Sequence, residues 1–410
     1  ASKVDRVSLQ NFNLSVGVTD TFLDAVRTGS DFELVHPQTQ QVTDRVPAKF
    51  LFESIVNSVW ETGDPGLLFL DAINRANPTP GLGRLDATNP CGEIPLLAYE
   101  SCNLGSINLA RHIKQGSQGL AVDWDKLNKT VHRAIRFLDN LIEINHFPTP
   151  EIESMSRGNR KIGLGVMGLA DLLIQLEIPY DSEKGIQLGE TIMGVIQEEA
   201  HGTSRLLAEE RGVFPNWMNS LYGQKNQKMR NATCTAIAPT GTISIIAGTT
   251  PSIEPLFAVA YQRAHSLGGK PLYELSPWFE QCCQNHGVSL AELKGQVLEK
   301  GGLRSVDGIP ETMKRIFVTA LEIPAEGHLK MQAAFQRHVD NSVSKTINLP
   351  EEATREEIAQ AYLRAWELGL KGVTVFRYGS KGSQVLEVGS DHDPGFFEHT
   401  SHCDPRECQV

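Results

Sequence analysis

Apolar residues along this chain recur alternately with helical and with strand spacing, and that alternation predicts an α/β fold. The clearest unit lies near the end. Leu349-Pro350 precede Thr354-Arg355-Glu356-Glu357, a capping box, and Ile358, Tyr362, Ala365, Trp366 and Leu368 then repeat at helical intervals. Gly369 can stop that helix, and Gly372-Val373-Thr374-Val375-Phe376 reads as a buried strand. A second amphipathic block runs from Leu188 to Leu207 and is bounded by Gly212. Two short β-rich runs, Cys234–Ala238 and Ile243–Ile246, flank turn residues. From about Gly389 the chain turns to Asp, His, Pro, Gly and Glu, with little to bury. Residues 386–410 are therefore expected to be a mobile tail on a body of residues 1–385. No internal repeat and no low-complexity region is found.

At 410 residues the chain can bury a large core. The net charge of −11, with no basic stripe, argues against a polyanionic partner such as nucleic acid, although backbone amides can still bind a small phosphorylated ligand. No apolar run reaches membrane-spanning length, and Ala1-Ser2-Lys3-Val4-Asp5-Arg6 does not resemble a signal peptide. Seven cysteines, odd in number and scattered, do not make a disulfide scaffold and fit a reducing, cytoplasmic setting.

Asn89-Pro90-Cys91-Gly92-Glu93 places a carboxamide, a thiol and a carboxylate on alternate positions, with Cys102 eleven residues after Cys91. In extended backbone these groups would face one substrate together. Pro90 and Gly92 suggest a loop tip, and the plainer reading is a turn with an incidental packed cysteine. Gly163-Leu164-Gly165-Val166-Met167-Gly168 matches the dinucleotide fingerprint, which would suggest a nicotinamide dehydrogenase. The polar lead-in Ser156–Lys161 is no buried strand, so small residues at the start of a closely packed helix account for it better. Ala238-Pro239-Thr240-Gly241-Thr242-Ile243-Ser244 offers amides and hydroxyls to an anion, or is a plain turn. Cys403 and Cys408 form a C-x4-C pair near His392, His399 and His402. A dithiol on a mobile arm suits thiol–disulfide exchange better than zinc, so no metal site is expected. Cys234, Cys282 and Cys283 read as packing residues.

Taken in order, the Asn89–Glu93 segment, Ser101-Cys102-Asn103-Leu104-Gly105-Ser106-Ile107-Asn108-Leu109, Pro239–Ser244 and the terminal cysteine pair resemble the catalytic chain of ribonucleotide reductases. Gln10–Val16, Asn341–Asn348 and Gly372–Arg377 support the likeness, which runs from about residue 9 to the end. Within the family the chain looks most like the adenosylcobalamin-dependent class. The class served by a separate radical-bearing subunit carries two adjacent tyrosines on a late barrel strand, where this chain has Phe376 and Arg377. The glycyl-radical class would carry a glycine motif near its end, where this chain has cysteines. The alternatives are a portion of the radical-subunit class and a non-catalytic regulatory homologue. The likeness covers the C-terminal part of such a reductase, as a split subunit or a fragment, so an N-terminal partner is expected.

The resemblance implies half of a ten-stranded α/β barrel with Cys91 on a central finger loop. It implies that ribonucleotides are reduced to 2′-deoxyribonucleotides. Cys91 would be the thiyl site, Glu93 the general base at the 3′-OH, Asn89 a hydrogen-bonding group for the sugar and Cys102 one of two reducing thiols. Thr240, Gly241, Thr242, Ile243 and Ser244 would hold the substrate phosphates. Cys403 and Cys408 would pass electrons from a thioredoxin-like reductant, and a nucleotide effector is expected on the absent half.

Overall fold

The computed structural model describes residues 9, 12–117, 119–263, 272–380 and 386–387. They fall into two compact units, one of residues up to 255 together with 323–380, the other of 256–322 together with 386–387. Among the described residues no helix is long and apolar enough to cross a membrane.

The first unit is built on strands β1 (Ser15–Val18), β2 (Gly66–Phe69), β3 (Ala87–Thr88), β4 (Pro95–Leu96), β5 (Asn103–Asn108), β6 (Ile162–Met167), β7 (Thr346–Leu349) and β8 (Gly372–Arg377). β1 and β2 pair in parallel, β2 meets β8 antiparallel, and β8 runs parallel to β7. β5 and β6 form a second parallel pair. The segment 233–237 connects the two groups: Leu164 bridges Thr235, and Ile237 bridges Val343, three residues before β7. The result is an open, mostly parallel surface in the order β5, β6, 233–237, 341–349, β8, β2, β1. Its single antiparallel junction among the described residues is β2 against β8.

Period-two alternation gives this surface two faces. Val18, Leu67, Phe69, Ile347, Leu349, Val373 and Val375 enter the main core. Helices α1 (Asp20–Thr28), α2 (Ala48–Thr62), α8 (Ala325–Gln336) and α9 (Arg355–Glu367) supply its other side. The predicted capping box is present: the Glu357 amide donates to Thr354 Oγ1 at 3.2 Å and the Thr354 amide to Glu357 Oε2 at 2.7 Å. Gly369 follows at φ +71°, and β8 lies where the pattern placed it. Helix α3 (Trp124–Ile144) packs on α6 (Glu183–Arg211), the long helix expected over Leu188–Leu207 and closed by Gly212.

Two expectations change. The glycine-rich run does not open a helix; it is the wholly buried strand β6, entered from helix α4 (Pro150–Asn159). A Cβ at Gly165 would collide with the Ala236 carbonyl oxygen, and one at Gly163 would stand 2.9 Å from Ala236 Cβ. The glycines are there for close strand approach, and Gly168 alone, at φ +76°, caps the helix that follows, α5 (Leu169–Gln175). Ile243–Ile246 is likewise no strand but part of the short helix α7 (Gly241–Ile246), with Ile243, Ile245 and Ile246 exposed.

The second unit holds antiparallel strands Ala260–Arg263 and Leu272–Leu275, joined by Leu386–Glu387, and helices Pro277–His286, Leu290–Lys300 and Glu311–Ile316. The rest of the expected tail, with Cys403 and Cys408, lies outside the described residues.

Candidate active site

β3 and β4 are the two legs of a hairpin in which Ala87 pairs with Leu96 and Thr88 with Pro95. Its tip is the Asn89–Glu93 segment, folded as a turn and not extended: the Gly92 amide donates to Asn89 O at 3.0 Å, with Gly92 at φ +82°. Asn89 closes the loop twice, through its own amide to Ile94 O at 3.3 Å and through Oδ1, which accepts from the Ile94 amide at 3.0 Å. Three contacts fix the tip on the face of the sheet away from the main core. Asn13 Nδ2 donates to Pro90 O at 3.3 Å, and the Ser342 amide donates to Glu93 O at 2.8 Å. Leu68 of β2 lies beneath the tip, 3.6 Å from where a Cβ on Gly92 would stand and 3.2 Å from one on Gly372. Glycine at both positions lets the hairpin and β8 share one leucine.

The turn separates the three groups by environment. Cys91 is exposed, whereas Glu93 is 2% exposed. Burial raises the Glu93 carboxyl above its ordinary range, opposed by a hydrogen bond from the Asn89 carboxamide. Glu93 Oε2 has no hydrogen-bond partner among the described residues. An unpaired, buried carboxylate oxygen costs free energy, so it marks a place where a ligand donor is expected. The Cys91 thiol is raised by partial desolvation and then by the Glu93 charge. Cys102 stands immediately before β5, with its sulfur 3.6 Å from Asn103 O. Burial pushes that thiol up to about 12; Lys161 opposes the rise, and Glu100 and Glu93 add to it. The charge of one carboxylate, Glu93, thus raises both thiols.

The Thr240–Ser244 segment is reached through the sheet. Ser342, whose amide holds Glu93, accepts from the Ile237 amide at 3.2 Å, and Ile237 leads directly to Thr240. Thr240 is buried at φ +55°, and its Oγ1 accepts from the Ser252 amide at 2.7 Å. Ser244 is also buried and donates its hydroxyl to Gly241 O at 3.0 Å. Gly241, Thr242 and Ile243 are exposed, and their amides have no acceptor within the helix they begin. Two of the five residues therefore hold the turn, and three present groups outward.

Other features are structural. Among the described residues, His201, Cys234 and Asp340 bring ligand atoms within 4.8 Å of one another. His201 Nε2 is already 2.9 Å from both Asp340 oxygens, and the Cys234 amide donates to Asp340 Oδ2 at 2.7 Å, so the cluster clasps α6 to the sheet. Cys234 and Cys283 are buried, as packing residues should be, and Cys282 is half-buried. Arg377 lies 4.1 Å over the Trp60 ring and donates to Trp60 O at 3.0 Å and Glu351 O at 2.9 Å. Sequence reasoning missed Asn13 and Ser342 as anchors of the tip, and the buried pair Lys161–Glu100 beside Cys102. The only sequence signal for that pair was a charged lead-in to a glycine-rich apolar run.

The family model for the ribonucleotide reductase barrel domain matches residues 1–228 and 224–376. A vitamin B12-dependent ribonucleoside-diphosphate reductase of Thermoplasma acidophilum is 51% identical over 93% of this chain and 49% of its own length. A protein of the same name from Mycobacterium tuberculosis is 50% identical over 93% of this chain and 53% of its own length. The chain thus spans about half the length of these relatives. Among solved structures, the class Id ribonucleotide reductase alpha subunit of Actinobacillus ureae superposes with a TM-score of 0.72 at 23% identity, over 90% of this chain and 65% of that one, a likeness of fold. The chain belongs to the ribonucleotide reductase family, as part of its barrel domain.

Proposed function

We propose that this chain carries the thiyl-radical site of an adenosylcobalamin-dependent ribonucleotide reductase and works with an N-terminal portion supplied by a further stretch of polypeptide. The observation that carries the reading is the unpaired Glu93 Oε2, on a carboxylate whose charge raises both an exposed thiol, Cys91, and a half-buried one, Cys102. The names of the two half-identical relatives support the corrinoid and a nucleoside diphosphate substrate. Phe376 and Arg377, at the positions where the resemblance would put a pair of tyrosines, carry no phenol, and Arg377 is committed to Trp60 and Glu351.

A ribose 2′-hydroxyl is a poor leaving group, so a hydrogen atom must first leave C3′. Cys91, as thiyl radical, takes that atom, because S–H and C–H bonds have similar strengths. Glu93 Oε2 accepts the 3′-OH proton while water leaves C2′. Asn89 keeps one N–H on Glu93 and offers the other to a sugar hydroxyl. Cys102 and a second thiol from the N-terminal portion supply two electrons, close a disulfide and leave the sugar reduced. Cys91 then returns its hydrogen to C3′. The amides and hydroxyl of Gly241, Thr242 and Ile243 bind the phosphates on a turn held by Thr240 and Ser244. Cys403 and Cys408 reopen the disulfide and are recharged by a thioredoxin-like donor.

The exposed tip fits a radical source approaching from the open face, where Pro90 and Cys91 would meet it. When bound, adenosylcobalamin supplies the homolytic chemistry that side chains lack. The test is Cys91→Ser in the complete enzyme: turnover should vanish with nucleotide binding intact. Retained turnover would refute the assignment.

A further inference from the structure

Lys161 and Glu100 form an ion pair with no exposed side-chain surface, Nζ to Oε2 at 2.6 Å. A buried pair is a weak way to stabilise a fold, since well-packed apolar residues often do as well. Its placement gives it another use. Parallel register pairs Ile162 with Asn103, so Lys161 and Cys102, the residues immediately before each strand, enter that pair side by side. Glu100, two residues before Cys102, is fully engaged. Oε2 also accepts from the Leu97 amide at 2.8 Å, and Oε1 accepts from Asn159 Nδ2 at 2.6 Å. Lys161 donates in addition to Pro95 O at 3.4 Å, on the returning leg of the hairpin. One pair ties the hairpin leg, the start of β6 and the segment bearing Cys102.

We infer that Lys161, held in place by Glu100, is a positioning residue for Cys102 that fixes the sulfur beside the hairpin and supplies the cation that stabilises its thiolate on release from a disulfide. This rests on the reading of Cys102 as a reducing thiol. In the step concerned, a reductant thiolate attacks the sulfur joined to Cys102. A new S–S bond forms, the old one breaks, and its electron pair leaves on the Cys102 sulfur, which then takes a proton from solvent. Lys161 is not consumed. Desolvation, with the Glu100 and Glu93 charges, keeps Cys102 protonated, which suits a donor to substrate but makes its sulfur a poor leaving group. A fixed cation eases the second task without abolishing the first.

Alkylation of Cys102 by iodoacetamide in the full-length protein, read by peptide mass spectrometry between about pH 7 and 9, measures its thiolate fraction independently of turnover. Glu100→Gln leaves the cation and removes a like charge, so the rate should rise about tenfold, equivalent to one pKa unit. Because that variant buries an unpaired charge, Lys161→Met combined with Glu100→Gln is measured beside it. This double variant should be slower than the parent by about threefold or more, and Lys161→Arg should stay near the parent. Rates within about twofold of the parent in the double variant would overturn the inference. Cys102→Ser in the complete enzyme separates the two readings. Full turnover there removes Cys102 as a reducing thiol, whereas loss of turnover with unmoved alkylation rates in the double variant removes Lys161 alone.

Discussion

Glu93→Gln should make the protein more stable and the enzyme inactive. Glu93 is 2% exposed, one of its oxygens has no partner, and burial is the largest influence on its carboxyl. A buried polar group left without a partner costs about 1–3 kcal/mol, and more when charged. Glutamine keeps the shape and the contact with Asn89 but removes the charge, so unfolding free energy should rise by about 1 kcal/mol near pH 8. The gain must depend on pH. With its folded value raised above 4.5, Glu93 releases its proton more readily in the unfolded chain, and the penalty is complete only above the raised value. As pH falls through that value the carboxyl is neutralised in place. Below 4.5 the two proteins should be equally stable. Urea midpoints at about pH 8, 6 and 4.5 read this directly. Turnover should fall by about 10²–10⁴-fold, the usual worth of a positioned base. A destabilised Gln variant would mean that Oε2 is paired in the folded protein, and unchanged turnover would remove Glu93 as base.

Gly165→Ala should cost about 2–3 kcal/mol of stability by urea titration, because the added methyl meets the Ala236 carbonyl, which is backbone and cannot turn aside. A loss under about 0.5 kcal/mol would show that the two strands can part there. Replacing Cys403 and Cys408 together by serine should spare turnover with a small dithiol and block it with a protein reductant. Equal loss with both would dispose of the shuttle.

The sequence was most legible where local rules act alone. The capping box at Thr354, the apolar spacing through Leu368 and the glycine stop at Gly369 delimit α9, and the structure reproduces each. The Asn89–Glu93 loop tip was readable too, because Pro90 and Gly92 have few other uses. The errors share a cause. Ile243–Ile246 is a short apolar run, which hydrophobic period cannot assign to helix or strand. The Gly163–Gly168 run was assigned by local signals, yet the shape of its site is set by Ala236 from a distant segment. Lys161 and Glu100 are 61 residues apart, and nothing in either neighbourhood announces that the other will meet it in the interior. The second unit, which holds residues 256–322, carries helices and strands of its own, so alternating helical and strand spacing does not mark where it begins.

The site itself is best understood as two thiols treated differently by one fold. At the tip of the hairpin, Cys91 is exposed and answers chiefly to partial desolvation and to Glu93. Beyond the hairpin, just before β5, Cys102 is half-buried, and its thiol answers to desolvation, to Lys161 and to two carboxylates. A radical-bearing sulfur must be reached from outside and then meet a sugar carbon, so it belongs on a tip. On the proposed reading, a reducing thiol must keep its proton until the sugar needs it and surrender the disulfide afterwards, which a neighbouring buried charge pair would serve. The Glu93 charge raises both thiols, and its Oε2, without a partner among the described residues, is the oxygen that the proposed function assigns to a substrate hydroxyl. Groups of similar chemistry placed in unlike surroundings can take unlike roles, and here the difference lies between a hairpin tip, which exposes Cys91, and the buried Lys161–Glu100 pair, which acts on Cys102.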